Sequence, residues 1–239
     1  MVTDVPRKFA AEDEAFFAGR KELTEKWPDI PALHIVDNWP LFAGHVNIAR
    51  FLSIHDLFRQ TLHLPGHVCE LGCFNGTNLL FLAKLLTIYK PRNLTEVFGF
   101  DTFEGLETIE EGKDVERKRI QGKYKGNVEL LEDLIHLNGF ESWVHLVKGD
   151  VQQTVPQFLE ERKDVRFSFI YIDMDLYAPT VSAVKALYPK LLKGGIMVFD
   201  EYNTALWPGE TMAVHEVLGE EVKLRQVPGT RQPTAYLVK

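Results

Sequence analysis

Five short apolar runs, each separated from the next by a stretch of helical periodicity, constrain this chain more than any other feature. His67–Leu71 (HVCEL), Val97–Asp101 (VFGFD), Val144–Lys148 (VHLVK), Phe167–Asp173 (FSFIYID) and Ile196–Asp200 (IMVFD) are mostly apolar at consecutive positions. Strands covered on both faces have this pattern. Helices are predicted over Thr77–Tyr89, Val128–Leu137, Val151–Glu161 and Pro179–Leu192. In the last, Val181, Val184, Tyr188 and Leu191 share a face, Pro179 suits a first turn, and Gly194-Gly195 is expected to close the end. The alternation predicts an α/β chain with a mostly parallel, doubly wound sheet. Two further runs, Val222–Val227 and Thr234–Val238, bring the strands to seven and are expected to form an antiparallel hairpin at the sheet edge.

Two segments fall outside this repeating unit. Residues 1–66 hold a charged helix and then Ile48–Leu62, whose Ile48, Phe51, Leu52, Phe58 and Leu62 fit a helix packed on the sheet. They are read as an N-terminal helical cover, with residues 67–239 as the core. Residues 104–127 are too polar for a core and long for a plain connection, so they are expected to form a lid. The length of 239 residues leaves no room for a third domain.

A net charge of −7 sets the bulk field against nucleic acid and anionic lipid surfaces, so neither is an expected partner. Cys69 and Cys73 have no further ligands near them in sequence and read as buried thiols. The first residues carry acids where a secretion signal needs a basic and then an apolar run, and no run approaches the ~20 apolar residues of a membrane span. The expectation is a soluble, cytoplasmic protein.

Chemistry concentrates at the strand ends. The first strand runs into Glu70-Leu71-Gly72-Cys73-Phe74-Asn75-Gly76-Thr77 and then a helix. Gly72 and Gly76 allow a tight bend and close approach to a ligand, and the helix start offers free N–H groups. Asp101 ends the second strand, followed by Thr102 and Phe103, and Asp150 with Val151 follows the third. In a doubly wound sheet these ends line one crevice, so the set reads as a nucleoside site; each aspartate alone could instead cap a helix. The spacing is not the Gly-x-Gly-x-x-Gly of a pyrophosphate cradle, and Glu70 would repel pyrophosphate while suiting an ammonium group. That favours S-adenosylmethionine over NAD. Asp173-Met174-Asp175 and Asp200-Glu201 end the next two strands. So many acids in one cleft call for a cation or for protonation, and hard oxygen ligands suit Mg²⁺.

With these residues in view the sequence resembles the macrocin O-methyltransferase family. The matching stretches are GFDTFEGL (99–106), KGDVQQTVP (148–156), YIDMDLYAPT (171–180), LYPKLLKGGIMVFDEY (187–202) and WPGETMAV (207–214), and the tail most resembles a rhamnosyl-methylating branch. The resemblance implies a Rossmann-like class I methyltransferase that acts on sugar hydroxyls in antibiotic biosynthesis. It implies that Glu70, Gly72, Gly76 and Thr77 shape the cofactor loop, that Asp101 with Thr102 and Phe103 holds the ribose, and that Asp150 and Val151 read the adenine. Asp173, Asp200 and Glu201 match its metal positions, although many relatives have Asp-Asp where this chain has Asp200-Glu201. Asp173 also borders the cofactor.

On this reading an acceptor hydroxyl loses its proton as it attacks a sulfonium methyl group, with Asp175 as the first candidate base and Asp173 the second. Tyr202, Trp207 and Gly209 are candidates for an apolar platform under a sugar ring. The aromatic residues Phe9, Phe16, Phe17, Trp27 and Trp39 of the cover suit a homo-oligomer interface. His45 and His215 could reach the cleft, with no role assigned. Three alternatives stay open at this point: a catechol or phenol methyltransferase, a nucleoside-binding module without turnover, and an NAD enzyme.

Overall fold

In the computed structural model, which describes residues 9–106, 109–115 and 124–239, all seven expected strands form. They are β1 (His67–Leu71), β2 (Val97–Asp101), β3 (Val144–Lys148), β4 (Phe167–Ile172), β5 (Leu191–Phe199), β6 (Leu224–Gln226) and β7 (Ala235–Val238). The sheet order is β3-β2-β1-β4-β5-β7-β6. The first five strands run parallel, and β7 pairs antiparallel with both β5 and β6. Chain order reverses between β1 and β4, the switch point at which such sheets open a crevice.

The helices are α1 (Ala10–Lys26), α2 (Ala32–Asp37), α3 (Trp39–Phe42), α4 (His45–Arg59), α5 (Thr77–Tyr89), α6 (Val128–Leu137), α7 (Val151–Glu161), α8 (Tyr177–Leu187) and α9 (Pro208–Leu218). Side chains alternate along each central strand and so feed two cores. Phe169, Tyr171, Ile196 and Val198 join α4, α5 and α6 on one face. Ile170, Ile172, Met197 and Phe199 join α7, α8 and α9 on the other. In α5 the fully buried Leu79 and Leu82 contribute about 1.5–3 kcal/mol each. Cys69 and Cys73 are free and buried, one in each core.

Several features differ from expectation. The helix expected to run to Leu192 stops at Leu187, where a short 3-10 turn over Tyr188–Lys190 takes over; Pro189 in that turn has no N–H to continue an α-helix. Gly194-Gly195 therefore closes no helix but lies inside β5, and Gly194 takes φ +80 while donating its N–H to Lys239 O at 2.7 Å. The stripe of α4 that meets the sheet is Ser53, Ile54, Leu57 and Phe58, and Leu52 is 59% exposed rather than packed.

The N-terminal segment does not pack as one unit. Helices α1, α2 and α3 bury no residue, whereas α4 buries four. Of the expected lid, residues 107–108 and 116–123 lie outside the described residues. The described piece around Asp114 is tied to the core: Asp114 accepts from its own-segment Glu110 N at 2.9 Å and from Tyr177 N at 3.0 Å, and Lys113 Nζ stands 3.7 Å above the Tyr177 ring. Among the described residues no helix is long and apolar enough to cross a membrane.

Candidate active site

The carboxyl ends of β1, β2, β4 and β5, together with α4, surround a cavity of about 1120 Å³. One half is built by backbone. Gly72 sits at φ +85 with its N–H donated to Phe100 O at 2.8 Å, and a Cβ there would lie 1.7 Å from Asp173 O. Only glycine lets the β1 and β4 ends come this close. Asp101 then holds the loop in shape: its Oδ2 accepts from Phe74 N at 2.7 Å and its Oδ1 from Phe103 N at 2.6 Å. Both phenylalanines take positive φ, 49° and 59°, a conformation the Asp101 bonds help to fix. Burial pushes the Asp101 carboxyl up, against the pull of those amide bonds.

Gly72, Asp101, Thr102, Asp150 and Val151 line the cavity as expected. Asp150 also caps α7, accepting from Gln152 N at 2.9 Å, so the capping alternative holds for its Oδ1. Glu70, Gly76, Thr77 and Phe103 do not line it. Gly76 caps α5 at φ +75, and a Cβ there would strike the Leu131 side chain, so its smallness serves helix packing. Thr77 begins α5 with its side chain exposed, and Phe103 is buried in the core. Glu70 lies under the loop, 1% exposed, with Oε2 lacking any partner. Burial lifts its pKa to about 8, with Arg50 and Asn78 opposing.

The other half is built by side chains around one cation. Asp173 and Asp200 meet at the ends of β4 and β5, as expected, but Arg50 of α4 lies between them. Its Nη2 donates to Asp173 Oδ2 at 3.0 Å, and its Nη1 lies 2.9 Å from Asp200 Oδ1 and 3.2 Å from Oδ2. Tyr171 donates its hydroxyl to Asp200 Oδ1 at 2.5 Å, and the Arg50 guanidinium carbon stands 5.8 Å from the Tyr171 ring centre. Burial raises Asp173 well above the ordinary carboxylate range, with Asp200 adding to the rise and Arg50 opposing it.

Glu201, the third expected metal position, is occupied elsewhere. Its Oε2 accepts from Thr204 Oγ1 at 2.9 Å, and its Oε1 accepts from Gln232 Nε2. Burial, then Asp200, lifts its pKa to about 8. The fully buried Glu210 accepts from Glu201 N at 2.9 Å, and burial raises it too. Among the described residues no three His, Cys, Asp or Glu side chains form a metal-holding group. A divalent ion taking the carboxylate oxygens that now face Arg50 would have to displace its guanidinium nitrogens. Of the expected metal set, Asp173 and Asp200 have Arg50 between them, and Glu201 turns to its own partners.

Asp175 lies on the β4–α8 connection at φ 62 and lines the cavity. Such a φ is uncommon for a residue with a side chain and marks a position worth a functional test. Burial, then Asp200, raises its carboxyl to about 7 while Arg50 pulls it back. Of the expected platform only Trp207 lines the cavity. The Tyr202 hydroxyl lies 2.6 Å from His215 Nε2, and Gly209 packs under Asp114 and Tyr177.

The sequence reading missed Arg50. One signal was available: on α4 it precedes Ser53 and Ile54 by three and four positions, so it continues the buried stripe, where a lone charge needs a partner.

A family model described as Macrocin-O-methyltransferase (TylF) matches residues 20–221. A solved structure of CalS11, a calicheamicin methyltransferase, superposes with a TM-score of 0.86 at 32% identity, covering 98% of each chain. An apo structure of CalS11, described as a TDP-rhamnose 3'-O-methyltransferase of calicheamicin biosynthesis, gives 0.76 at 33%, covering 98% of this chain and 95% of that one. The 8-demethyl-8-(2,3-dimethoxy-alpha-L-rhamnosyl)-tetracenomycin-C 4'-O-methyltransferase of Streptomyces olivaceus is 25% identical over 187 residues, 73% of this chain and 69% of that protein. The expected class I methyltransferase fold is thereby borne out.

Proposed function

The chain belongs to the macrocin O-methyltransferase family, and from that premise we propose that it methylates a hydroxyl of a deoxysugar carried by a nucleotide or a glycosylated natural product, using S-adenosylmethionine. The relatives named for a rhamnose or rhamnosyl group support the sugar class. The observation that carries the reading is that one cavity is lined both by the Gly72 loop and by Asp175.

S-adenosylmethionine, when bound, supplies a methyl group on an electrophilic sulfonium. The residues fit it: Gly72 lines the cavity without a side chain and so lets a ligand approach its backbone. Asp101 fixes the loop and retains acceptor capacity for a hydroxyl pair. Asp175 takes the proton of the acceptor hydroxyl as that oxygen attacks; a carboxyl near 7 is matched to this work. Trp207 offers an apolar face to the sugar, and Phe9, Asp13 and His45 of the cover with Gly105, Leu106 and Tyr124 line the same cavity.

Asp175→Asn tests the assignment. Turnover on a nucleotide-linked deoxysugar is expected to fall at least ~10²-fold with S-adenosylhomocysteine affinity retained. In the unmodified chain the rate should rise with pH through about 7, because only the ionised Asp175 accepts a proton. A near-normal rate in the variant removes the role.

We also infer self-association through the cover. Phe17 and Trp27 on or beside α1 and Leu33, Val36 and Leu41 beyond it are each more than half exposed, although three helices are devoted to the segment. Light scattering should give a mass above one chain, and Phe17→Glu with Trp27→Glu should lower it; a monomer in the unmodified protein overturns the assignment.

A further inference from the structure

Resting on the O-methyltransferase reading above, we infer that the Arg50 guanidinium is the resident cation of the acidic half of the cavity, and that methyl transfer by this chain runs without a divalent ion. The two carboxylates that would carry such an ion are bridged by the two terminal nitrogens of one guanidinium, at 3.0 Å to Asp173 and 2.9 Å to Asp200. A planar fork presents its donors in fixed directions, which is the geometry two facing carboxylates require. The bridge is braced on each side. Tyr171 donates to Asp200 Oδ1, the same oxygen that lies 2.9 Å from Arg50, and the backbone N–H groups of both acids are fixed by strand pairing, Asp173 N to Leu71 O at 2.9 Å and Asp200 N to Ile172 O at 3.0 Å. Glu201 is held by Thr204 and Gln232, so it is turned to these partners and away from ion binding.

Arg50 also lines the cavity that Asp175 lines, and its charge pulls the Asp175 carboxyl down. It therefore stands where positive charge steadies the alkoxide character that grows on the acceptor oxygen as Asp175 takes its proton. In this arrangement it is a positioning residue for Asp173 and Asp200 and a fixed source of field for the reacting oxygen. An arginine never loses its proton near neutral pH, so the charge is present in every turnover without a binding equilibrium. Burial lowers its affinity for the proton, and Tyr171, Asp200 and Asp173 more than restore it.

The test is a Mn²⁺ titration of chelator-stripped full-length protein followed by electron paramagnetic resonance, run beside methyl-transfer assays with and without chelator. Unmodified protein is expected to bind no stoichiometric ion at millimolar Mn²⁺ and to keep its rate within about 2-fold in chelator. One tightly bound ion per chain, or a rate that falls ~10-fold on chelation and returns with Mg²⁺, would overturn the proposal. Arg50→Ala, if its circular dichroism matches the parent, is expected to take up Mn²⁺ between the released carboxylates. A folded Arg50→Ala that binds no ion shows that the guanidinium is not what excludes one, and also overturns it. Should that variant not fold, the titration of the unmodified chain decides. Because ion binding is read without turnover, an absence of methyl transfer to sugars would sink the functional reading and leave the cation question answered separately.

Discussion

The two halves of the cavity hold their carboxylates by different means. Asp101 and Asp150 are held by backbone N–H groups within 27 residues of themselves in the chain, from Phe74, Phe103 and Gln152. Asp173 and Asp200 are joined by a single guanidinium that is 123 and 150 residues away, with Tyr171 also donating to Asp200. The first arrangement is local chemistry that a strand, a glycine and a turn supply wherever they occur. The second depends on a helix outside the sheet arriving at the right place. The halves therefore differ in what breaks them: the loop half fails one hydrogen bond at a time, and the acidic half fails through one residue.

The largest effect should come from the acidic half. Arg50→Met is expected to cost about 3 kcal/mol in a urea unfolding experiment, since removing one partner leaves buried carboxylates uncompensated; the value sits at the low end because the Asp173 side chain keeps 25% exposure. The loss should shrink as pH falls. Asp173 already has a folded pKa above its unfolded value, so its charge costs stability above that folded pKa, and protonation removes the cost as pH drops toward ~4. A gap that widens on acidification would mean that Arg50 was not balancing these acids.

A middle-sized effect belongs to the loop half. Asp101→Asn replaces one acceptor oxygen by an N–H donor facing a backbone N–H, and should weaken S-adenosylhomocysteine binding by about 1–3 kcal/mol in calorimetry. Unchanged affinity would show that the loop keeps its shape without Asp101. The smallest effect is expected for Asp150→Ala, about 1 kcal/mol of thermal stability from the lost α7 cap, with S-adenosylhomocysteine affinity changed less than the Asp101→Asn variant changes it. If affinity instead falls as far as in Asp101→Asn, Asp150 reads the nucleoside as well as capping the helix.

The same division decides what could be read from the sequence. Phe167–Ile172 is buried at every position, so a central strand announces itself as an unbroken apolar run, and the ends of such strands place Asp101, Asp173 and Asp200 without further help. The start of β5 was harder to see because Gly194 and Gly195 look like a stop, and only pairing with β4 and β7 reveals that they continue a strand. Gly76 and Thr77 were drawn toward the cofactor because a glycine at a helix start serves ligand approach and helix packing equally well on paper. It took Leu131, more than 50 positions further on, to show which. Arg50 showed only through its place on the buried stripe of α4, which marks a charge in need of a partner without naming that partner. Residue types and spacing showed that the acids need a cation, and could not show that the chain brings its own.

Because α4 delivers that charge while α1, α2 and α3 bury nothing, the N-terminal third cannot be exchanged as a neutral module. A chimera that joins residues 67–239 to the leading segment of a metal-using relative would part the acids from their counter-charge. Recombination among such enzymes would then have to carry residues 45–59 together with the sheet, so that the inherited unit begins inside what looks, from the outside, like a detachable arm.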